Sequence, residues 1–150
     1  MKEIYVDADA CPVKDEVLKV AARHSWPIHM VSNSWMRLAE HPLITRVVVP
    51  EGPDVADDWI AERAGLGDVV ITNDIPLADR CIKAGASAIR PNGKMLTEDS
   101  IGMALAVRNL NTDLRDAGEI TGGPSGFTKN DRSRFLSALD TAIQKVLRDN

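Results

Sequence analysis

The chain has 150 residues, of which 44% are hydrophobic and 27% are charged, and its formal net charge is −4. These values are typical of one globular domain with its own core, and they exclude a disordered or strongly basic chain. No apolar run of about 18 residues is present to form a transmembrane helix. The two cysteines form no CxxC pair and no secretory leader precedes the first strand, so we expect a reducing, cytoplasmic location.

Short apolar segments alternate with amphipathic segments along the chain. In chain order, the pattern predicts a strand over 3–7, a helix over 12–24, strands over 27–33 and 44–50, a helix over 52–64, a strand over 67–74, a helix over 75–86 and a short strand from 87. A helix over 97–118, a glycine-rich loop over 118–128 and an amphipathic helix over 129–150 follow. The alternation predicts one α/β domain over 1–150, with a mostly parallel sheet and helices on both faces.

Two of the predicted strands end in an aspartate. Asp7 closes "EIYVD" and Asp74 closes "GDVVITND". Because parallel strands bring their carboxyl ends to one edge, where α/β sheets bind ligands, we expect these two side chains to lie close together. Further carboxylates are expected near the same edge: Asp9 in the first loop, Asp54, Asp57 and Asp58 at a helix start, and Asp79 in the helix after Asp74.

Several carboxylates at one edge repel one another unless a cation lies among them. Mg²⁺ and Mn²⁺ prefer carboxylate and water oxygens and commonly bridge phosphate oxygens. Such an ion activates water toward a phosphodiester and stabilises the charge that develops on the phosphate. The sequence therefore predicts a divalent metal site with Asp7, Asp57, Asp58 and Asp74 as principal ligands and Asp9 and Asp79 assisting.

Each aspartate also has a simpler interpretation. Aspartate is a common helix N-cap and a common residue of solvated turns. Asp54, which follows Gly52 and Pro53, is the best candidate for a plain cap. Asp57 and Asp58 lie about 100° apart on a helix, so only one of them is expected to point fully inward.

Four motifs in order resemble the YaiI/YqxD family of uncharacterised bacterial proteins. They are "VDADACPVK", "GPDVADDWI", "VITNDIPLADRCIKAGA" and "GGPSGFTKNDRSRFLSALD", and the likeness covers essentially the whole chain. The family is grouped with PIN-like domains, so the resemblance implies a compact α/β/α sandwich around a parallel sheet. PIN-like nucleases use an acidic cluster to hold Mg²⁺ or Mn²⁺ and to cleave RNA or DNA.

The resemblance also implies roles for particular residues. Asp7 is similar to the first-strand aspartate of PIN-like domains, and Asp57 or Asp58 to the acidic residue of the middle helix. Asp74 is similar to the strand-end aspartate of the third motif, and Asp79 to the acid that follows it. Asp9 belongs to the YaiI/YqxD motif itself. Because fold alone does not fix function, the acidic set is what favours a nuclease.

Basic and polar residues near the same edge are candidates for substrate contacts. Phosphate binding by lysine or arginine is independent of sequence and sensitive to salt, and the alternative is a solvated helix face. The candidate phosphate contacts are Lys14, Arg80, Arg90, Lys94, Lys129 and Arg132, and the other candidate pocket residues are Asn33, Ser34 and Asn73.

Two further features have mainly structural interpretations. Gly122, Gly123 and Gly126 could bring backbone N–H groups near a phosphate, although a simple connection is as good an interpretation. Cys11 precedes a helix, where a thiolate would be stabilised, but the sequence shows no histidine paired with it. We therefore predict that Cys11 is a small packed side chain.

The leading hypothesis is a Mg²⁺- or Mn²⁺-dependent nuclease, a hydrolase that acts on RNA or single-stranded nucleic acid. One alternative is a non-catalytic nucleic-acid-binding or regulatory module, and another is a metal-dependent phosphatase acting on a small phosphate ester. No membrane partner is expected. A homodimer is compatible with the sequence.

Overall fold

The computed structural model describes residues 2–35, 37–38, 40–52, 54–103 and 128–149. Its six strands are β1 (Ile4–Asp7), β2 (Ile28–Ser32), β3 (Ile44–Val48), β4 (Val69–Ile71), β5 (Ser87–Ile89) and β6 (Met95–Leu96). Its helices are α1 (Lys14–His24), α2 (Val55–Arg63), α3 (Ile75–Lys83), α4 (98–103 in the described part) and α5 (Lys129–Asp149), and a 3₁₀ turn covers Ala8–Ala10. None of these helices, as far as they are described, is long and apolar enough to cross a membrane.

The strands form one sheet in the order β3-β2-β1-β4-β5-β6. The first five strands are parallel, and β6 alone runs antiparallel, beside β5. The central pair is β1 and β4, in which Val6 lies opposite Ile71. The carboxyl ends of β1 and β4 therefore lie side by side, and the predicted α/β class with a mostly parallel sheet is confirmed.

Helices cover both faces of the sheet and give a three-layer α/β/α sandwich. On one face, α1 and α5 pack on alternate strand residues such as Ile4 and Val6, and Phe135, Leu139 and Ile143 of α5 are fully buried there. On the other face, α2 and α3 pack on the intervening strand residues, which follow the period of two in a strand. A smaller cluster joins α3, β5, β6 and α4.

The predicted element bounds differ from the structure where side chains compete for the backbone. β4 ends at Ile71 instead of Asp74, because Asp74 takes the N-cap position of α3. The short strand β6 was not predicted, since two residues give no periodic signal. The predicted glycine-rich loop over 118–128, with Gly122, Gly123 and Gly126, and most of the helix over 97–118 lie outside the described residues.

The turn between β5 and β6 is fixed against the start of α5. The Arg90 N–H donates to the Lys94 carbonyl at 2.9 Å, and the Gly93 N–H donates to the Arg90 carbonyl at 2.8 Å. Gly93 has φ +91°, and a Cβ added there would lie 2.6 Å from the Arg134 carbonyl carbon. Only glycine satisfies both the backbone angle and this close approach.

Replacing Gly93 by alanine should therefore destabilise the protein. A left-handed alanine and a clash with the α5 backbone together should lower the free energy of unfolding by about 2 kcal/mol or more, as measured by urea denaturation. Gly102→Ala is the control, because a Cβ there meets nothing within 4 Å and alanine favours a helix by up to about 1 kcal/mol. Equal stability of the two variants would contradict this account of the turn.

Candidate acidic site

The candidate site lies at the carboxyl ends of the two central strands. Asp7 is the last residue of β1, and Thr72 follows directly after β4 in the neighbouring position. The Thr72 hydroxyl donates a hydrogen bond to Asp7 Oδ2 at 3.1 Å, and the Asp74 N–H donates to the same hydroxyl oxygen at 2.9 Å. Thr72 is buried, so this one hydroxyl fixes Asp7 relative to the backbone of Asp74.

Asp74 serves both the fold and the site. Its Oδ1 accepts a hydrogen bond from the Leu77 N–H at 2.9 Å, which caps the N-terminus of α3. The capping interpretation is thus confirmed for Asp74, and the cap orients its carboxylate toward Asp57. An asparagine at position 74 could form the same cap without the negative charge.

Asp57 reaches the site from the first turn of α2, where it lies within hydrogen-bonding reach of Asp74. Burial, followed by repulsion from Asp74 and Asp7, raises the pKa of Asp57 from 3.8 to about 7. Burial also raises the pKa of Asp7, with repulsion from Asp74 and Asp9 adding to it, although the Thr72 hydrogen bond partly opposes the shift. The structure therefore brings Asp7, Asp57 and Asp74 together without a cation to neutralise them.

The other predicted aspartates have partners of their own. Asp58 accepts an ion-paired hydrogen bond from Arg80 at 2.7 Å, and its side chain is 54% exposed. Asp79 is paired with Lys83 at 2.9 Å. Because these carboxylates are neutralised on the outer surface of α2 and α3, the prediction that Asp58 and Asp79 act as ligands gains no support from their positions.

Asp9 and Asp54 flank the cluster and differ in the contacts of their side chains. Asp9 Oδ2 accepts from the Asn33 N–H at 2.9 Å and ties the first loop to the end of β2. Asp54 takes the N-cap position of α2, but its side chain forms no capping hydrogen bond and its φ is +65°. The expectation that the Asp54 side chain caps the helix is therefore wrong, and the backbone of Asp54 is left-handed, whereas a capping residue typically has extended backbone angles.

Two of the predicted phosphate-binding residues, Lys14 and Arg132, form hydrogen bonds within the fold. Lys14 Nζ donates to the Cys11 carbonyl at 2.8 Å, and Arg132 binds Glu16 at 2.8 Å and the Pro12 carbonyl at 2.9 Å. Both cations stabilise the segment that leads into α1.

The remaining candidate residues surround the edge of the sheet. The Asn33 side chain donates to the Pro50 carbonyl at 3.4 Å, and the Ser34 carbonyl accepts from Ser32 Oγ at 2.7 Å. Asn73 Oδ1 accepts from Arg90 Nε at 3.2 Å. The side chains of Lys94 and Lys129 are exposed.

Cys11 is a packed side chain, as predicted. It is 5% exposed within the core beneath α1 and α5. Burial raises the pKa of the Cys11 thiol to about 11, so the thiolate required of a nucleophile is disfavoured.

Thr72 is the site residue that the sequence analysis missed. Threonine is common in strands, and its position in "VITND" looked like ordinary strand composition. The sequence feature that could have identified Thr72 is its position between the end of a strand and a helix-capping aspartate. A hydroxyl at that position can form a hydrogen bond to the end of the neighbouring strand.

The donor chemistry of the cluster fits a divalent cation. Carboxylate oxygens are hard ligands of the type that Mg²⁺ and Mn²⁺ prefer, and burial together with repulsion between the carboxylates raises the pKa of Asp7 and of Asp57. Across the part of the chain that the structure describes, no three His, Cys, Asp or Glu side chains are arranged as a metal-binding group. Because carboxylate ligands bind a cation in the deprotonated form, cation binding would require Asp57 to release its proton.

Comparisons with known proteins agree on one family. Residues 5–145 match the family described as "Uncharacterized BCR, YaiI/YqxD family". A UPF0178 protein of Rhodopseudomonas palustris (strain TIE-1) is 65% identical over 148 residues, covering 99% of this chain and 94% of the relative. A UPF0178 protein of Nitrobacter winogradskyi is 63% identical over 145 residues, covering 97% and 92% of the two chains. No solved structure gives a significant match.

The raised pKa of Asp57 predicts a dependence of stability on pH. Between the unfolded value of 3.8 and the folded value of about 7, the folded chain binds more protons, so the free energy of unfolding should fall as pH rises through this range. Without divalent ions, Asp57→Asn should melt like the wild type near pH 4 and at a higher temperature near pH 8.

Asp58→Asn is the matched control, since it makes the same substitution at the neighbouring residue. The carboxylate that it removes is exposed and paired with Arg80. Thermal melts of the three proteins in EDTA across this pH range provide the measurement. A difference between Asp57→Asn and wild type that stays constant with pH would contradict the predicted coupling.

Proposed function

This chain belongs to the YaiI/YqxD family, and we propose that it is a divalent-metal-dependent nuclease whose site is the cluster of Asp7, Asp57 and Asp74. The observation that carries the proposal is the meeting of these three acids at the carboxyl edge of a parallel sheet. The cap that Asp74 forms on α3 accounts for the position of that residue but not for the approach of Asp57, because like charges brought together and partly buried lower the stability of the fold.

The roles of the three acids follow from their surroundings. Asp7 is held by Thr72 and Asp74 by its backbone contacts, so both are preorganised as oxygen ligands. Asp57, whose pKa is near 7, can hold a proton in the free protein and release it when a cation binds. A bound Mg²⁺ or Mn²⁺ would supply activation of water and neutralisation of the phosphate charge.

The proposal includes the PIN-like assignment of the fold. It is supported by the three-layer arrangement around a parallel sheet and by the convergence of the acids at positions 7, 57 and 74, which resemble the PIN-like set. Between Asp57 and Asp58, the proposal selects Asp57, because Asp58 is paired with Arg80 outside the cluster.

RNA or single-stranded DNA is the proposed substrate class. Lys94 lies in the turn after β5, and Lys129 is the first residue of α5. Both side chains are exposed, and the turn packs on α5 at Gly93. Exposed lysines of this kind can contact a phosphate backbone. A small phosphate ester, or nucleic acid that is bound without cleavage, is the competing outcome that an assay must distinguish.

Asp7→Asn and Asp74→Asn should each abolish metal-dependent cleavage. Loss of outer partners of a metal site already costs roughly 10–100-fold in activity, so loss of a direct ligand should reduce the rate by about 100-fold or more. Asparagine preserves the cap of α3 at position 74, so a folded protein is expected. The assay uses labelled RNA, labelled single-stranded DNA and a small phosphomonoester with Mn²⁺.

Asp79→Asn is the control, because Asp79 is paired with Lys83 away from the cluster and should retain activity. Hydrolysis of the phosphomonoester alone would identify a phosphatase, and binding of intact RNA with a steep salt dependence would identify a binding module. Identical traces for wild type, Asp7→Asn and Asp74→Asn on all three substrates would exclude catalysis at this site.

Divalent cations should raise the melting temperature of the wild type. A ligand that binds only the folded chain stabilises it by mass action, and carboxylate ligands must be deprotonated to bind. The shift with millimolar Mn²⁺ should therefore be larger near pH 8 than near pH 5, and Asp7→Asn should reduce it while Asp58→Asn should not. A shift that Asp7→Asn leaves unchanged would place the ion elsewhere.

A further inference from the structure

Arg90 lies next to the acidic site on the side of the neighbouring strand. The Thr72 N–H donates to the Ile89 carbonyl at 3.1 Å, so the residue after β5 lies beside the threonine that links Asp7 and Asp74. The Arg90 backbone is fixed by the turn to Lys94, which packs on α5. The position of Arg90 relative to the cluster is therefore set by the sheet and not by a loose loop.

The partner of Arg90 is a neutral amide. Its Nε donates to Asn73 Oδ1 at 3.2 Å, and no carboxylate among the described residues lies within 4.0 Å of its nitrogens. Several other arginines of the described chain have acidic partners, namely Arg23 with Asp140, Arg80 with Asp58, and Arg134 with Asp131, whereas Arg46 lies over the Trp35 ring. The Asn73 contact orients the guanidinium of Arg90 but leaves its charge uncompensated.

An oriented guanidinium with an uncompensated charge is suited to bind phosphate. Its terminal N–H groups can make two parallel hydrogen bonds to phosphate oxygens, and Asn73 occupies only the Nε donor. Within the described residues, Arg90 forms no ion pair with Asp7 or Asp74, so its charge is not used to neutralise the acidic cluster.

We propose that Arg90, positioned by Asn73, binds a backbone phosphate of the single-stranded nucleic acid whose phosphodiester lies at the acidic cluster. The inference rests on the proposed function for its substrate class, but it concerns strand binding and not cleavage. Arg90 supplies affinity for the backbone, and Asn73 acts by holding the guanidinium in place through its hydrogen bond to Nε. Because the contact is to phosphate, the contribution of Arg90 to binding is independent of base sequence.

Binding of an end-labelled single-stranded RNA, measured by fluorescence anisotropy in millimolar Ca²⁺ at several salt concentrations, tests this inference. Arg90→Ala should weaken binding roughly 10-fold and reduce the salt slope by about one, because one phosphate contact is lost. Arg90→Lys should restore the slope but only part of the affinity, since lysine keeps the charge without the paired donors. Asn73→Ala should weaken binding less than Arg90→Ala does. The double variant should bind RNA about as weakly as Arg90→Ala alone, because Asn73 acts through Arg90.

Arg23→Ala is the control of equal charge, because Arg23 lies in the last turn of α1 and is paired with Asp140, away from this edge. Wild-type affinity for Arg90→Ala, or equal weakening by Arg23→Ala, would overturn the inference, as would a wild type that does not bind RNA. Melting temperatures of all variants report folding, and Arg90→Lys preserves the test if the alanine variant is unstable. If RNA binding depends on Arg90 but wild type cleaves no substrate with Mn²⁺, the inference stands and catalysis is excluded.

Discussion

The hydrogen-bonded hydroxyl of Thr72 connects the two central strands at the edge where the acids meet. It donates to Asp7 from β1 and accepts from the backbone of Asp74, which leads into α3. The parallel pairing of β1 with β4 brings these groups into contact. It makes neighbours of Asp7 and Thr72, which are separated by 65 positions in the chain. The geometry of the site thus follows from strand register, and the hydrogen bonds of the Thr72 hydroxyl complete it.

Five aspartates of this edge differ in their partners. Asp58 and Asp79 are neutralised by cations on the helix surface, and Asp9 and Asp74 accept backbone N–H groups. Asp57 lacks such a partner in the described chain, and its raised pKa is the electrostatic consequence. The adjacent carboxylate of Asp58, by contrast, is paired with Arg80. Adjacent residues 57 and 58 therefore have different electrostatic surroundings, and the proposed metal site depends on this contrast.

The alternation of strands and helices was sufficient to predict the α/β class, the parallel sheet and the edge at which Asp7 lies, because these follow from local periodicity and chain connectivity. The choice between Asp57 and Asp58 depends on the rotation of α2 about its axis, which tertiary packing of Ile60 and Ala56 determines. The end of β4 was misplaced for a similar reason: Thr72 and Asp74 use their side chains to redirect the backbone. Long-range hydrogen bonds of this kind leave no periodic signal in a sequence.

The close approach of Gly93 to α5 has a consequence for the order in which the protein matures. All six strands precede α5 in the chain, yet α5 covers one face of their sheet and supports the turn that follows Arg90. While the chain is being synthesised, Asp7, Asp57 and Asp74 emerge from the ribosome before the helix that completes the core beneath them. Until α5 has been synthesised, the face of the sheet that Phe135, Leu139 and Ile143 cover therefore lacks these side chains, and the turn after Arg90 lacks the helix on which it packs.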